Sequence, residues 1–189
     1  ISRRQRQMCI RDSVMTEYFD EVDQNDQILG QITRTEAHKH NIMHRAVHIF
    51  IQNQNDLWLL QRRSSNKDLD PLKWTTSCSG HVDAGESYIE AAVRECREEL
   101  GIKITESDLK EIFRCNPCIQ TGMEFVRVYI SKKKFKEFSP EISEVSEIEF
   151  FTVPALIEKC KNEKEIFSGS FLHLFQLTAS RLEAYSNDS

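Results

Sequence analysis

The 189-residue sequence has no apolar run close to the roughly 20 residues that a membrane-spanning helix needs. It also has no excess of positive charge, because 25 Lys and Arg residues are outnumbered by 30 Asp and Glu residues, for a net charge of −5. Without a basic field, the composition gives no support for a nucleic-acid or membrane partner. An acidic protein can still bind an anionic small molecule if metal ions supply local positive charge.

Regular cysteine spacing, sequence repeats and low-complexity linkers are also missing. Six irregularly spaced cysteines in a chain of this size indicate reduced thiols in a cytosolic protein rather than a disulfide framework. Cys115 and Cys118 form a C-x-x-C motif, but no second pair stands at the spacing of a zinc site. Incidental thiols are therefore the simpler interpretation of the motif. The length favours one domain.

Residues 1–13 differ from the rest because they are basic and unpatterned, whereas acidic, periodic sequence begins after Val14 and Met15. A basic targeting arm is one interpretation. However, residues 3–12 are also the translation of a transposase-type sequencing adapter, CGT CGG CAG CGT CAG ATG TGT ATA AGA GAC. We therefore expect residues 1–14 to be a non-native extension and residues 15–189 to be the domain. Amplification of the locus from source DNA tests this expectation, and genomic recovery of those codons would overturn it.

The alternation of apolar segments and turn signals predicts a single α/β domain. Predicted strands cover residues 17–23, 28–32, 46–51, 57–62, 74–79, 125–130 and 147–151. The turn at residues 53–56 predicts that the third and fourth of these strands form a hairpin. Predicted helices cover residues 87–100, 154–160 and 171–185, with a helical turn or loop at residues 35–41.

The predicted helix at residues 87–100 has clear boundaries. Ser87 and Glu90 make a capping-box pattern, and Gly101 supplies a left-handed stop. At about 100° per residue, one apolar stripe is expected to face the core. Its members are Ile89, Val93, Cys96 and Leu100.

Three carboxylates, Glu95, Glu98 and Glu99, are expected on the opposite face of this helix. Carboxylates at such spacings repel one another, so a compensating charge is expected. Hard divalent cations prefer oxygen ligands and join carboxylates to substrate phosphates. A solvated acidic face is the alternative explanation for the same residues.

The wider pattern decides between these explanations. Glu86 follows Gly80 after five residues, and Arg94 follows after seven more. With Glu95, Glu98, Glu99 and Gly101, this spacing resembles the box of the Nudix family. Cys96 stands where an aliphatic residue is usual, and a small buried hydrophobe suits that place.

The Nudix resemblance implies an α/β/α sandwich around a mixed sheet, with Mg²⁺ or Mn²⁺ as the cofactor. It implies metal ligands at Glu95, Glu98, Glu99 and the carbonyl of Gly80. It further implies catalytic roles for Glu95, Glu98, Arg94 and Glu124, and structural roles for Gly85, Glu86 and Gly101. Which carboxylate is the base stays open.

Beyond the box, the chain resembles the isopentenyl-diphosphate-isomerase branch of that family. The resemblance rests on residues 44–50, 59–63, Lys67, Pro71, Trp74 and residues 79–81. It implies a metal held by histidines and glutamates, for which His38, His44, His81 and Glu124 are the matching positions. Ser79 replaces the isomerase cysteine and Gly122 a second glutamate. Because a serine hydroxyl is far less acidic than a thiol, hydrolysis is favoured over isomerisation.

For several side chains, the sequence leaves two interpretations open. His44 and His81 bind either a metal or loops and phosphate, whereas His48 is expected in the core. Glu144 and Glu147 are alternatives to Glu124. The basic residues Arg62, Arg63 and Lys67 contact phosphate oxygens or form a solvated loop.

The sequence thus predicts a cytosolic, Mg²⁺-dependent hydrolase of nucleoside diphosphates linked to a group X, or of related organic diphosphates. Isopentenyl-diphosphate isomerase is the first alternative, and a non-catalytic nucleotide-binding Nudix domain is the second. The expected partner is a small-molecule diphosphate. A homodimer would be common in the family.

Overall fold

The computed structural model describes residues 16–188, so the expectations for residues 1–14 and for a start at Met15 lie outside the described residues. Nine strands, β1 to β9 in chain order, occur in this part: Tyr18–Val22, Ile28–Thr33, His44–Phe50, Trp58–Arg63, Trp74–Thr75, Cys78–His81, Leu109–Cys115, Glu124–Ser131 and Val145–Phe151. The α-helices of the same part, α1 to α4, are Arg34–His40, Tyr88–Leu100, Val153–Asn162 and Gly169–Asp188. Short 3₁₀ turns lie at Glu106–Asp108, Ile119–Thr121 and Lys164–Ile166.

The central sheet has four strands in the order β6-β3-β8-β7. It is mixed, because β3 and β8 are parallel while the other two pairs are antiparallel. A second, antiparallel sheet has the order β5-β4-β9, and β1 pairs with β2. The mixed sheet agrees with the predicted fold class.

Helices cover both sides of the strands. On one side, α2 contributes Cys96 and Leu100 to an apolar cluster that includes Val47 and Ile49 of β3. On the other side, α3 and α4 pack against Phe50 of the same strand. Because successive side chains of a strand point to opposite faces, β3 supplies both clusters. The predicted α/β/α sandwich is confirmed, and none of the helices in residues 16–188 is long and apolar enough to cross a bilayer.

The predicted turn at residues 53–56 is present, but the hairpin of β3 with β4 does not extend beyond the residues next to it. Strand β4 instead pairs with β5 and β9 in the second sheet. Next to the turn, the chain leaving β3 contacts the start of β4 through an antiparallel bridge between Gln52 and Trp58. Two backbone hydrogen bonds flank it, from the Asn53 N–H to the Leu57 carbonyl at 3.0 Å and from the Leu59 N–H to the Ile51 carbonyl at 2.9 Å. Both strands are buried on both faces, so their apolar pattern does not specify a partner.

The predicted strand at residues 74–79 is interrupted. Its two halves, β5 and β6, belong to different sheets. Between them, the Ser77 hydroxyl donates to the Leu59 carbonyl and accepts from the Ile51 N–H at 2.8 Å. The break lets β6 enter the central sheet and carry Ser79, Gly80 and His81.

The boundaries predicted for helix α2 are confirmed. The Ser87 hydroxyl and the Glu90 carboxylate form the reciprocal capping box, and Gly101 ends the helix with φ of 64°. The buried face, however, differs from the predicted stripe, because Ile89 and Val93 are only partly buried. Other residues complete the buried face: Tyr88, Ala91, Ala92 and Glu99.

Candidate functional site

A cleft of about 940 Å³ lies between β6, α2 and the loops around them. Its walls carry nine acidic side chains but four basic ones, counted among residues 16–188. An anionic ligand therefore meets a repulsive surface here unless cations bind first.

Arg94 organises the box residues around this cleft. Its guanidinium donates two 2.9 Å hydrogen bonds to the Glu86 carboxylate, which is a bidentate contact. It also donates to Glu95 at 2.6 Å, to Glu98 at 3.3 Å and to the carbonyl of His81 at 2.9 Å. One side chain thus joins the loop before α2, the acidic face of α2 and strand β6.

Glu86 and Gly85 shape the loop before α2. The Asp83 N–H donates to the Glu86 carboxylate at 3.1 Å, so this carboxylate fastens the loop to Arg94. Gly85 has φ of 81°, a conformation that favours glycine, and its N–H donates to the buried carboxylate of Asp20 at 3.1 Å.

The three acidic residues of the box lie in different environments. Glu99 is 3% exposed, and its Oε2 accepts from the Gln61 amide at 2.7 Å and the Ser79 N–H at 3.1 Å. Glu95 is largely enclosed, whereas half of the Glu98 side chain is exposed. The expectation that all three share a face directed away from the core is therefore wrong for Glu99, because β4 and β6 supply polar partners that allow its burial.

Burial and mutual repulsion act on these carboxylates. Burial, followed by the nearby Glu99 carboxylate, raises the pKa of Glu95 to about 8, although Arg94 opposes the shift. Burial also raises the pKa of Glu99. Two carboxylates enclosed in this way do not both ionise readily without an added positive charge.

Gly80 gives Glu95 the room that it occupies. A Cβ atom at Gly80 would stand 2.0 Å from Oε1 of Glu95 and 2.2 Å from its carboxyl carbon. The lack of a side chain on this strand residue therefore lets the Glu95 carboxylate lie directly against the backbone of β6.

Next to the box residues is a second cluster, formed by His38, His44, His81 and Glu124, whose candidate ligand atoms all lie within 4.8 Å of one another. Nε2 of His81 lies 3.2 Å from Nε2 of His38 and 3.0 Å from Oε1 of Glu124. Helix α1 supplies His38, while the register of β3 and β8 places His44 opposite Glu124.

His44 directs its Nε2 atom toward this cluster. Its Nδ1–H donates to the carbonyl of Ile42 at 2.7 Å, so Nε2 is the ring nitrogen that remains available to other partners. That Nε2 is completely buried, lacks a hydrogen-bond partner among residues 16–188, and faces Oε1 of Glu124 at 3.5 Å. An imidazole nitrogen and a carboxylate oxygen that face each other in this way are both metal-ligand atoms, and a metal ion between them would satisfy both.

The surroundings of this cluster affect its charges. Burial alone would raise the pKa of Glu124, but hydrogen bonds and charge from His44 and His81 hold it well below its ordinary value. Burial, followed by the charges of His81 and His44, lowers the pKa of His38 to about 4. Phe19 stacks on the rings of His44 and His81 at centroid distances of 5.2 and 4.5 Å, which fixes their planes.

His48 is 5% exposed, and its Nδ1 lies 2.9 Å from the Thr76 hydroxyl. Burial lowers its pKa to about 4, as is usual for a neutral core histidine.

Ser79 lines the cleft, whereas the neighbouring Cys78 is fully buried on the other side of β6. Cys78 is thus turned away from the position of the isomerase cysteine.

The predicted phosphate-contacting residues separate into two groups. Arg63 and Lys67 line the cleft, where Lys67 pairs with Glu144. Arg62 instead donates to the carbonyl of Leu72 at 3.0 Å and lies 3.5 Å from Glu147. The alternation of side chains along β4 accounts for the opposite directions of its last two residues.

Two residues near the site were not identified from the sequence. Gln61 holds Glu99, and Phe19 packs on the histidines. Gln61 lies within residues 59–63, which carry the family resemblance, but the resemblance implied no role for it, and Phe19 belongs to no motif. Both reach the site through contacts between distant segments, so no local pattern indicated their roles.

The family model and the relatives that match this chain all indicate the same family. The NUDIX domain model matches residues 42–175. Nudix hydrolase 3 of Arabidopsis thaliana is 39% identical over 114 residues, covering 58% of this chain but only 15% of that protein. An isopentenyl-diphosphate Delta-isomerase of Pectobacterium atrosepticum is 28% identical over 168 residues, which cover 87% of this chain and 90% of that protein.

A solved structure agrees with this family. The crystal structure of DR0079 from Deinococcus radiodurans superposes with a TM-score of 0.74 at 28% sequence identity. The match covers 88% of this chain and 99% of that one.

Proposed function

We propose that this chain, which belongs to the Nudix family, hydrolyses a diphosphate linkage. The substrate is a nucleoside diphosphate joined to a group X, or a related organic diphosphate. One observation carries this proposal: Glu95, Glu98 and Glu99 line the same acidic cleft as Gly80, and Arg94 holds Glu95 and Glu98 there. Water attacks one phosphorus, and the products are the phosphate of X and a second phosphate or monophosphate.

Mg²⁺ or Mn²⁺ suits the atoms available in this cleft. The donors are carboxylate oxygens of α2 together with the Gly80 carbonyl, all of them hard oxygen ligands. The space above Gly80, which a Cβ atom would fill, brings the Glu95 carboxylate next to that backbone. A divalent cation bound there would neutralise diphosphate oxygens and make water more acidic.

The remaining steps belong to the protein's own side chains. Arg94 holds Glu95 and Glu98 in position, while Gln61 and the Ser79 N–H hold Glu99. A box glutamate or Glu124 accepts the proton of the attacking water. Arg63 and Lys67 line the same cleft and are available to phosphate oxygens.

A second candidate, isoprenoid-diphosphate isomerisation, is favoured by the cluster of His38, His44, His81 and Glu124. Ser79, at the position of the isomerase cysteine, weakens it, because a serine hydroxyl transfers a proton less readily than a thiol. A non-catalytic binding role is weakened by the full set of box acids.

We also propose the reducing cytosol as the compartment. Cys78, Cys96, Cys115, Cys118 and Cys160 are all free thiols. A reducing compartment keeps thiols in this state.

The deciding experiment gives the purified protein Mg²⁺ and a panel of nucleoside diphosphate derivatives, dinucleotides, CoA and isopentenyl diphosphate. Phosphate release and double-bond migration are measured in the same reactions. We expect phosphate release from at least one member, and EDTA should abolish it. Migration without phosphate release would replace hydrolysis with the isomerase assignment, while tight ligand binding without turnover would support a binding domain.

A further inference from the structure

A second group of potential metal ligands lies in the wall between the central sheet and helix α4. Cys115 ends β7, Cys118 precedes the 3₁₀ turn at Ile119–Thr121, and His173 lies in the first turns of α4. Nε2 of His173 is 3.7 Å from Sγ of Cys115 and 3.7 Å from Sγ of Cys118. All three atoms lie within 4.8 Å of one another.

These separations are close to those around a bound zinc ion. With Zn–S bonds of about 2.3 Å and Zn–N bonds of about 2.0 Å, sulfur and nitrogen ligands of a tetrahedral site are roughly 3.5 Å apart. The two distances from Nε2 of His173 to the sulfur atoms therefore exceed those of a zinc site by only a few tenths of an ångström. Two thiolates and an imidazole also form the soft donor set that selects zinc over magnesium.

We propose that Cys115, Cys118 and His173 bind one Zn²⁺. Water supplies the fourth ligand, because Cys118 and His173 are only partly buried. The C-x-x-C motif lacks a second pair in the sequence, but α4 brings an imidazole from 55 residues further along the chain. The site is separate from the carboxylate and histidine clusters of the cleft, and it does not depend on the proposed hydrolysis.

The bound ion would cross-link helix α4 to the segment between β7 and Glu124. The Thr121 hydroxyl lies 3.2 Å from the carbonyls of both Cys118 and Glu124. The following residues, Gly122 and Met123, have φ of 69° and 66°. This strained turn lines the cleft, so a zinc cross-link beside it stabilises one wall of the site.

Cobalt(II) is the probe that isolates this site from the others. Full-length protein is reduced, stripped of metal and titrated with Co²⁺, which gives a thiolate charge-transfer band only when cysteine ligates it. We expect the band to reach its maximum at one equivalent and to disappear when one equivalent of Zn²⁺ is added. Atomic emission on protein purified anaerobically without chelator is expected to find one zinc per chain.

Three variants test the assignment. Cys118→Ser should lower the intensity of the band, because one of the two thiolates is lost, and both it and His173→Ala should weaken Co²⁺ binding by about 100-fold or more, since even outer-shell changes cost 10- to 100-fold. Cys160→Ser, which removes a half-buried thiol in α3, is the matched control and should bind as the unaltered protein does. A band of undiminished intensity together with unchanged Co²⁺ affinity in Cys118→Ser overturns the proposal. A Cys115–Cys118 disulfide in place of zinc in the isolated protein overturns it too.

Discussion

Replacement of Glu98 by Gln is expected to lower Mg²⁺-dependent turnover by about 10²- to 10³-fold, as loss of one electrostatic group in an active site does. The substitution keeps size and shape but removes the negative charge that we propose as a metal ligand. Half of the Glu98 side chain is exposed, and its contact with Arg94 is 3.3 Å long. The free energy of unfolding should therefore change by no more than about 0.5 kcal/mol.

The matched control is Glu183→Gln, the same chemical change at an exposed position of helix α4. Steady-state kinetics and thermal unfolding are measured for both variants and for the unaltered protein on the substrate found in the panel. The control should match the unaltered protein in both. An unaffected rate in Glu98→Gln would remove the box from the mechanism.

Replacement of Gly80 by Ala is expected to lower turnover by about 100-fold or more. The new methyl group would stand 2.0 Å from Oε1 of Glu95, a distance that non-bonded atoms do not adopt. Because that atom ends a flexible side chain, Glu95 can swing aside. The expected cost in stability is about 1–3 kcal/mol, as for other insertions into a packed site. The carboxylate then leaves the position that Arg94 gives it, and misplacement of a reacting group is costly for catalysis.

Gly30→Ala is the control for this substitution. Gly30 is also a strand glycine, in β2, but a Cβ atom there would meet nothing within 4 Å. The Gly30→Ala variant should therefore have the same turnover rate as the unaltered protein. Activity in Gly80→Ala equal to that of Gly30→Ala would show that the close approach of Glu95 to β6 is not needed for turnover.

The elements of this fold that could be predicted from sequence are those whose determinants are local. Ser87, Glu90 and Gly101 define the two ends of α2 within a few residues of the chain, and the structure confirms them. The spacing that resembles the Nudix box likewise indicated the acidic residues that line the cleft. Their different degrees of burial were not predictable, because the partners of Glu99 come from β4 and β6.

The errors in strand pairing have the same origin. Strand β7 was not predicted, since its sequence, LKEIFRC, mixes charged with apolar residues at a sheet edge. The hairpin of β3 with β4 is shorter than predicted, because two strands buried on both faces carry no alternation that specifies a partner. His173 could not be associated with the C-x-x-C motif, since only the packing of α4 brings them together.

The parallel pairing of β3 with β8 also determines when the histidine cluster can form during folding. His44 and Glu124 are opposite each other in this pair but are about 80 residues apart in the chain. Closing so long a loop costs entropy before any contact compensates, so parallel pairing of this kind is slow. A nascent chain that has emerged only as far as α2 already contains the complete box, with local signals for its helix. The histidine cluster, in contrast, cannot assemble until β8 has been synthesised and has docked against β3.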